Sequence, residues 1–283
     1  MSRIAYVNGR YVPHRAAQVH IEDRGYQFAD GIYEVVAVRH GRLVDEGPHL
    51  DRLDRSLAEM RMAAPMARAP LRHAMREVIR RNRVADGIVY MQVTRGAAPR
   101  EHAFPKAAKP ALVITAKRLL PKFAQMEKGV SVITLPDIRW KRRDIKTVNL
   151  TANVLAKQQA VEAGAFDAWL VDEGGMVSEG TASNAWIVTK DKELVTHTPD
   201  YRILNGITRL AVRALAETEG YRFVERPFSL AEAQGATEAF ITGTTAWVTP
   251  VIAIDKKQVG DGKPGPLTRA LQRLYATYAD NPA

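Results

Sequence analysis

The pattern of apolar and polar positions divides the chain into short strands and amphipathic helices. Tyr6-Val7-Asn8-Gly9-Arg10-Tyr11-Val12 sets Asn-Gly between two β-prone runs, which predicts a hairpin. Ile32 to Val38 is rich in Val and Ile, and His40-Gly41 turns it toward Arg42-Leu43-Val44. Leu50, Leu53, Leu57 and Met60 recur at helical spacing, so Pro48 to Met62 forms a helix with one apolar face. Leu71 to Arg83 reads as a second helix. Ile88 to Thr94 and Ala111 to Ala116 read as strands. Leu119-Leu120-Pro121-Lys122 interrupts the pattern, because proline blocks continuation, and a new strand begins at Val130. A helix from Leu150 to Ala163 leads into β-rich sequence from Ala165 to Thr196. A helix from Ile207 to Glu219, strands around Phe223 and from Phe240 to Ile254, and a last helix from Leu267 to Tyr278 complete the chain. Strands dominate and two halves are visible. The expected class is α+β, with domains at 1–118 and 124–283 joined by a linker at 119–123.

Composition narrows the chemistry. The 283 residues include 41 Lys and Arg against 31 Asp and Glu, a net charge of +10, and no cysteine. Without cysteine there is no disulfide scaffold, no catalytic thiol and no thiolate metal site. This fits a reducing compartment. The positive charge raises nucleic acid as a partner. The basic residues are spread along the chain, however, with the densest clusters at Arg80-Arg81-Asn82-Arg83 and Lys141-Arg142-Arg143, and a basic surface explains them equally. The N-terminus lacks the basic and apolar regions of a signal peptide, and no run approaches the ~18 apolar residues of a membrane-spanning helix.

Five segments are candidates for function, each with an ordinary alternative. Lys146, between a strand pattern and a helix, is a candidate amine nucleophile; the alternative is a solvated loop lysine. Glu179, in Ser178-Glu179-Gly180-Thr181-Ala182-Ser183-Asn184, is expected at a strand end facing inward, where it needs a cationic or hydrogen-bonding partner; the alternative is an exposed glutamate. Gly206-Ile207-Thr208 opens a helix whose first amides form an anion site, or is a plain cap. Ile241-Thr242-Gly243-Thr244-Thr245 offers hydroxyls for a phosphate, or is a β-turn. Arg100 and His102 sit two apart, so in an extended loop they point the same way and form a carboxylate trap, or belong to an ordinary surface loop.

The order and co-occurrence of these segments are more specific than any one of them. Arg24 to Val35, His49 to Leu53, Asp144 to Lys146, Ser178 to Asn184, Gly206 to Arg209 and Thr245 to Val251 together resemble the aminotransferase class IV family over nearly the whole chain. Within the family, Tyr33-Glu34-Val35 and Pro99-Arg100-Glu101-His102 are most similar to the D-amino acid aminotransferases. The resemblance implies fold type IV: a small N-terminal α/β domain and a larger, β-barrel-like C-terminal domain with helices. It implies pyridoxal 5′-phosphate as cofactor, held by Lys146 as an internal aldimine (a Schiff base), with Glu179 keeping the pyridine nitrogen protonated. It gives Arg52, the backbone of Ile207 and Thr208 and the Thr244 hydroxyl to the phosphate, and Leu204 to the ring. Tyr33, Arg100 and His102 would hold the substrate carboxylate.

Two departures stand out. Gly243 replaces a serine of some D-specific relatives, which removes one hydroxyl near the cofactor. Arg39 ends the Tyr33 strand and, if it points into the pocket, would favour acidic substrates. The expected activity is ping-pong transamination between D-amino acids (D-alanine, D-glutamate) and 2-oxo acids (2-oxoglutarate, pyruvate), by a cytoplasmic homodimer with no metal, nucleic acid or membrane partner. Branched-chain L-amino acid or R-selective amine transamination, an aminodeoxychorismate lyase and a basic nucleic-acid binder remain the alternatives.

Overall fold

The structure is a computed structural model that describes residues 3–281. It divides into two compact units: residues 1–120, 145–149 and 280–283 in the first, 121–144 and 150–279 in the second. The short segment at 145–149 therefore belongs with the N-terminal elements, although its flanks belong to the second unit.

The first unit holds β1 (Ile4–Val7), β2 (Arg10–Pro13), α1 (Arg24–Phe28), β3 (Gly31–Arg39), β4 (Arg42–Leu43), α2 (Glu46–Glu59), α3 (Arg68–Asn82), β5 (Gly87–Thr94) and β6 (Ala111–Arg118). Its sheet runs β2-β1-β6-β5-β3-β4, antiparallel throughout. The hairpin turns at Asn8 and Gly9, both at positive φ as an Asn-Gly turn requires. Leu50, Leu53 and Leu57 of α2 are buried in one cluster with Ile32, Val36 and Val38 of β3. Each side chain so removed from water contributes roughly 1.5–3 kcal/mol. The helix begins two residues earlier than its apolar spacing predicts, because Glu46 and Gly47 extend it, and Met60 and Arg61 unwind it before Met62.

The second unit holds α4 (Phe123–Lys128), β7 (Val130–Pro136), α5 (Thr151–Glu162), β8 (Asp167–Val171), β9 (Val177–Gly180), β10 (Asn184–Val188), β11 (Leu194–Thr196), α6 (Ile207–Thr218), β12 (Phe223–Glu225), α7 (Leu230–Gln234), β13 (Glu238–Gly243), β14 (Trp247–Ile254), β15 (Lys257–Gln258) and α8 (Pro266–Asp280). Its sheet runs β12-β11-β10-β13-β14-β7-β8-β9, with β15 added to β14. The pairs β11–β12, β14–β7 and β7–β8 are parallel, so the sheet is mixed. Each unit combines helices with a sheet, the α+β class that the sequence predicts.

The two basic clusters are tied to acids. Arg80 and Arg81 both bond Glu77, and Arg142 and Arg143 meet Asp144 and Asp137. Among the described residues no helix is long and apolar enough to cross a membrane.

Candidate active site

In the first unit the segment around Lys146 lies along β3. Tyr33 N donates to Lys146 O at 3.0 Å and Val148 N to Gly31 O at 3.0 Å, while Ile145 is buried in the core beneath. Lys146 is thus held on both sides, and its Nζ stands 4.3 Å from the centroid of the Tyr33 ring, a cation–π distance. That amine has no hydrogen bond or ion pair among the described residues, so it remains available to react. Tyr33 in turn stacks on Tyr90 at 5.6 Å, and burial pushes the Tyr90 hydroxyl up to about 12.

Strand alternation sends Tyr33 and its neighbour Glu34 to opposite faces of β3. Glu34 shares the core face with Ile32, Val36 and Val38 and is fully buried. A carboxylate there requires compensation. Arg52 grips it with two hydrogen bonds of 2.7 and 2.8 Å, and His49 Nδ1 lies 2.8 Å from Oε2. His49 and Arg52 are three apart on α2 and so share a face. An ionised carboxylate only accepts, so His49 donates from Nδ1. Burial would raise the Glu34 carboxyl, but Arg52 and His49 bring it down to about 2. Burial also lowers the His49 imidazole, which favours its neutral form.

Arg100 and His102 both lie against Phe28. The Arg100 guanidinium lies 5.0 Å from the Phe28 ring centroid and the His102 ring 5.4 Å from it. Both side chains are exposed, and neither has a hydrogen bond or ion pair among the described residues. Among the described residues no hydrogen bond or ring contact joins them to Tyr33. Arg39 shares the Tyr33 face but lies six residues along the strand, about 20 Å away at the usual rise. It is bonded to Asp86 at 2.9 Å and to Asp280 at 2.5 Å. Its guanidinium is thus engaged by two carboxylates.

In the second unit Glu179 faces inward near the end of β9, 5 % exposed. Its Oε1 accepts from Arg139 at 2.5 Å; its Oε2 accepts from Asn184 Nδ2 at 3.0 Å and Leu204 N at 3.1 Å. Burial pushes this carboxyl up, while Arg139 and the Leu204 amide pull the other way. Arg139 is itself locked by a two-point bond to Asp137, at 2.9 and 2.8 Å. The polar run after Glu179 is fixed by buried Asp167, which accepts from Thr181 Oγ1 at 2.5 Å and Ser183 Oγ at 2.8 Å.

Asn184 carries the arrangement from Glu179 to the start of α6. It donates to Leu204 O at 2.8 Å, and its Oδ1 would lie 2.1 Å from a Cβ built on Gly206, so only glycine fits there. No side chain caps α6, which leaves the amides of Ile207 and Thr208 open at the positive end of a 12-residue helix. The buried Thr208 hydroxyl lies 3.5 Å from Tyr275 OH. Thr244 sits half-buried in the turn between β13 and β14, next to Gly243, where a Cβ would approach Ala182 O at 3.2 Å. Open amides beside hydroxyls form a donor set suited to a phosphate dianion. A buried carboxylate beside them suits a protonated ring nitrogen.

Reasoning on the sequence missed Glu34, His49, Arg139, Asn184 and Asp167 as site-building residues. Glu34 had a signal: an acid at an apolar position of a strand demands a cation, and α2 supplies one. Arg139 had none, because its link to Glu179 spans forty residues of intervening loop and strand.

The family model described as "Amino-transferase class IV" matches residues 31–254. The chain is 39% identical over 277 residues to a D-alanine aminotransferase of Staphylococcus haemolyticus, covering 98% of each. It is 42% identical over 265 residues to a D-alanine aminotransferase of Bacillus licheniformis, covering 94% of this chain and 93% of the relative. Among solved structures, the T.th. branched-chain amino acid aminotransferase with pyridoxamine 5′-phosphate superimposes with a TM-score of 0.91 at 26% identity, over 100% of this chain and 96% of that one.

Proposed function

Because the chain belongs to the class IV aminotransferases, we propose that it transfers amino groups between D-amino acids and 2-oxo acids with pyridoxal 5′-phosphate as cofactor. The near-full-length identity to two D-alanine aminotransferases supports D-alanine and D-glutamate as donors, with 2-oxoglutarate and pyruvate as acceptors. The two substrates react in turn, a ping-pong order. The observation that carries the reading is the unpaired Lys146 amine held against Tyr33.

The residues fit the cofactor. Arg52, the amides of Ile207 and Thr208 and the Thr244 hydroxyl would hold its phosphate, Leu204 would cover the ring, Glu179 would face the ring nitrogen and Lys146 would hold it covalently. Bound there, pyridoxal phosphate supplies the carbonyl that takes up the amino group and a ring that draws electrons from the substrate α-carbon. Lys146 Nζ would take the proton from the substrate α-carbon and pass it to the cofactor carbon that carries the amine, as a positioned general base. Glu179, kept in place by Arg139 and Asn184, holds a proton at the ring nitrogen. Arg100 and His102, with free donors side by side, and the Tyr33 hydroxyl bind the substrate carboxylate.

We assign the active form to a homodimer. Helix α5 exposes Val154, Leu155 and Val161 at 63, 52 and 57%, an apolar surface suited to a second copy. The reading places the enzyme in the cytoplasm.

The test is 2-oxo acid release from D-alanine and from L-leucine, each with 2-oxoglutarate. Turnover of D-alanine is expected; turnover of L-leucine alone would overturn the D reading. Lys146→Ala is expected to abolish activity and the near-visible absorbance of the holoenzyme.

A further inference from the structure

The loop that carries Arg100 and His102 has no ladder of its own. Beyond the backbone bonds at its base, from Arg24 N to Gly96 O and from Ala98 N to Glu22 O, its backbone over 101–103 is held by a single side chain among the described residues. Arg24, the first residue of α1, is 3% exposed. It donates from Nη1 to Glu101 O at 2.5 Å and to Ala103 O at 3.4 Å, and from Nη2 to His102 O at 3.3 Å. Three successive carbonyls thus converge on one guanidinium. Among the described residues no other group outside the loop bonds the backbone of 101–103.

Arg24 is itself fixed. Its Nε donates to Asp30 Oδ2 at 2.8 Å, and Asp30 is also held by Arg95, at 2.7 and 3.0 Å. Arg95 is anchored to Met60 O and Arg61 O at 2.8 and 3.1 Å. All three side chains are buried. Burial would raise the Asp30 carboxyl, but the hydrogen bonds from Arg95 and Arg24 hold it below the usual range. Asp30 therefore remains an anion between two cations. Both arginines also grip the loop region through rings: Arg24 lies 4.9 Å from the centroid of Phe28, on which Arg100 and His102 rest, and Arg95 lies 3.8 Å from that of Phe104.

We propose that Arg24 is a positioning residue for substrate binding: with Arg95 gripping Phe104 as a second hold, its guanidinium sets the course of Glu101–Ala103 and so the placement of Arg100 and His102 toward the substrate carboxylate. The proposal rests on reading Arg100 and His102 as the carboxylate-binding pair. A buried cation bonded to carbonyls adds no apolar packing to the loop, and what it does supply is direction. Only a planar fork reaches three carbonyls and a carboxylate at once. Lysine keeps the charge and its bond to Asp30, but as a shorter point donor it loses the fork.

The experiment compares holoenzymes of the wild type, Arg24→Lys, Phe104→Ala and Arg100→Ala on D-alanine and on D-alaninol, which has the same stereocentre and no carboxylate. Amine transfer is followed by cofactor absorbance in single turnovers. For Arg24→Lys the KM for D-alanine is expected to rise about tenfold, equivalent to about 1.4 kcal/mol, with kcat/KM for D-alaninol and the resting spectrum unchanged. Phe104 is half-exposed, so Phe104→Ala tests the second hold with the core intact; it is expected to move D-alanine in the same direction by about threefold. Equal losses on both substrates, or no change on D-alanine, would overturn the proposal. If Arg24→Lys fails to fold, Phe104→Ala decides. If Arg100→Ala shifts the preference for D-alanine over D-alaninol and the other two variants do not, the positioning role fails alone. If Arg100→Ala leaves that preference intact, the carboxylate-trap reading fails with it.

Discussion

Replacing Glu34 with glutamine keeps the shape of the β3 core face and removes its negative charge. Arg52 and His49 then remain buried against an amide. Breaking a buried ion pair by removing one partner costs about 3–5 kcal/mol. A second route gives a similar size. The carboxyl moves from 4.5 to about 2 on folding, which at 1.36 kcal/mol per pKa unit is worth about 3 kcal/mol. The sign follows from the lowered value: the contribution is complete above 4.5, the unfolded value, and is lost as pH falls through about 2. His49, also lowered, resists protonation in the fold and adds to the acid lability in the same sense. Urea unfolding followed by far-ultraviolet circular dichroism is the assay, because all four tryptophans (Trp140, Trp169, Trp186 and Trp247) lie in the second unit and their fluorescence would miss the first. At pH 7 Glu34→Gln is expected to lose about 3–5 kcal/mol. Between pH 5 and pH 2 the wild type is expected to lose about 3 kcal/mol more than the variant does. A loss under about 1 kcal/mol at pH 7, or parallel acid profiles, would refute the coupling. Because Glu34 also orients Arg52, the variant should bind pyridoxal phosphate more weakly.

Glu179→Gln preserves the hydrogen-bonding size but not the charge, and kcat on D-alanine is expected to fall by about a hundredfold, read by coupled assay of pyruvate release. Thr208→Val and Thr244→Val each remove one hydroxyl from the phosphate cup. Each is expected to weaken pyridoxal phosphate binding about tenfold or more in a titration of the apoenzyme, and unchanged affinity in both would remove them from the cup. Leu155→Glu places a charge on the exposed face of α5 and is expected to shift the sedimentation coefficient from dimer to monomer, whereas an unchanged dimer would exclude that face from the interface.

The periodicities carried most of the architecture. Leu50, Leu53 and Leu57 announced α2, and Asn8-Gly9 announced the first hairpin, because both signals are local. Helices α1, α4 and α7 went unread: at five or six residues they are too short to complete an apolar repeat, and side-chain caps, Asp23 and Ser229, mark only α1 and α7. Lys146 and Glu179 were legible through their motifs. Their surroundings were not. The partner of Glu179 is Arg139, and the support of Lys146 is the backbone of Gly31 and Tyr33, more than a hundred residues upstream.

The segment at 145–149 has a bearing on how this chain can be divided. A fragment ending at residue 120 would keep the six-stranded sheet but lose the stretch whose Lys146 carbonyl accepts from Tyr33 and whose Val148 amide donates to Gly31. A fragment beginning at 121 would keep the lysine but set it loose from the strand that gives it its bearing. The Lys146 amine therefore has its full setting in neither piece by itself. Shuffling or splitting between residues 120 and 121 would separate Lys146 from its seat, so the chain is expected to tolerate exchange of its halves only when that five-residue loan travels with the first of them.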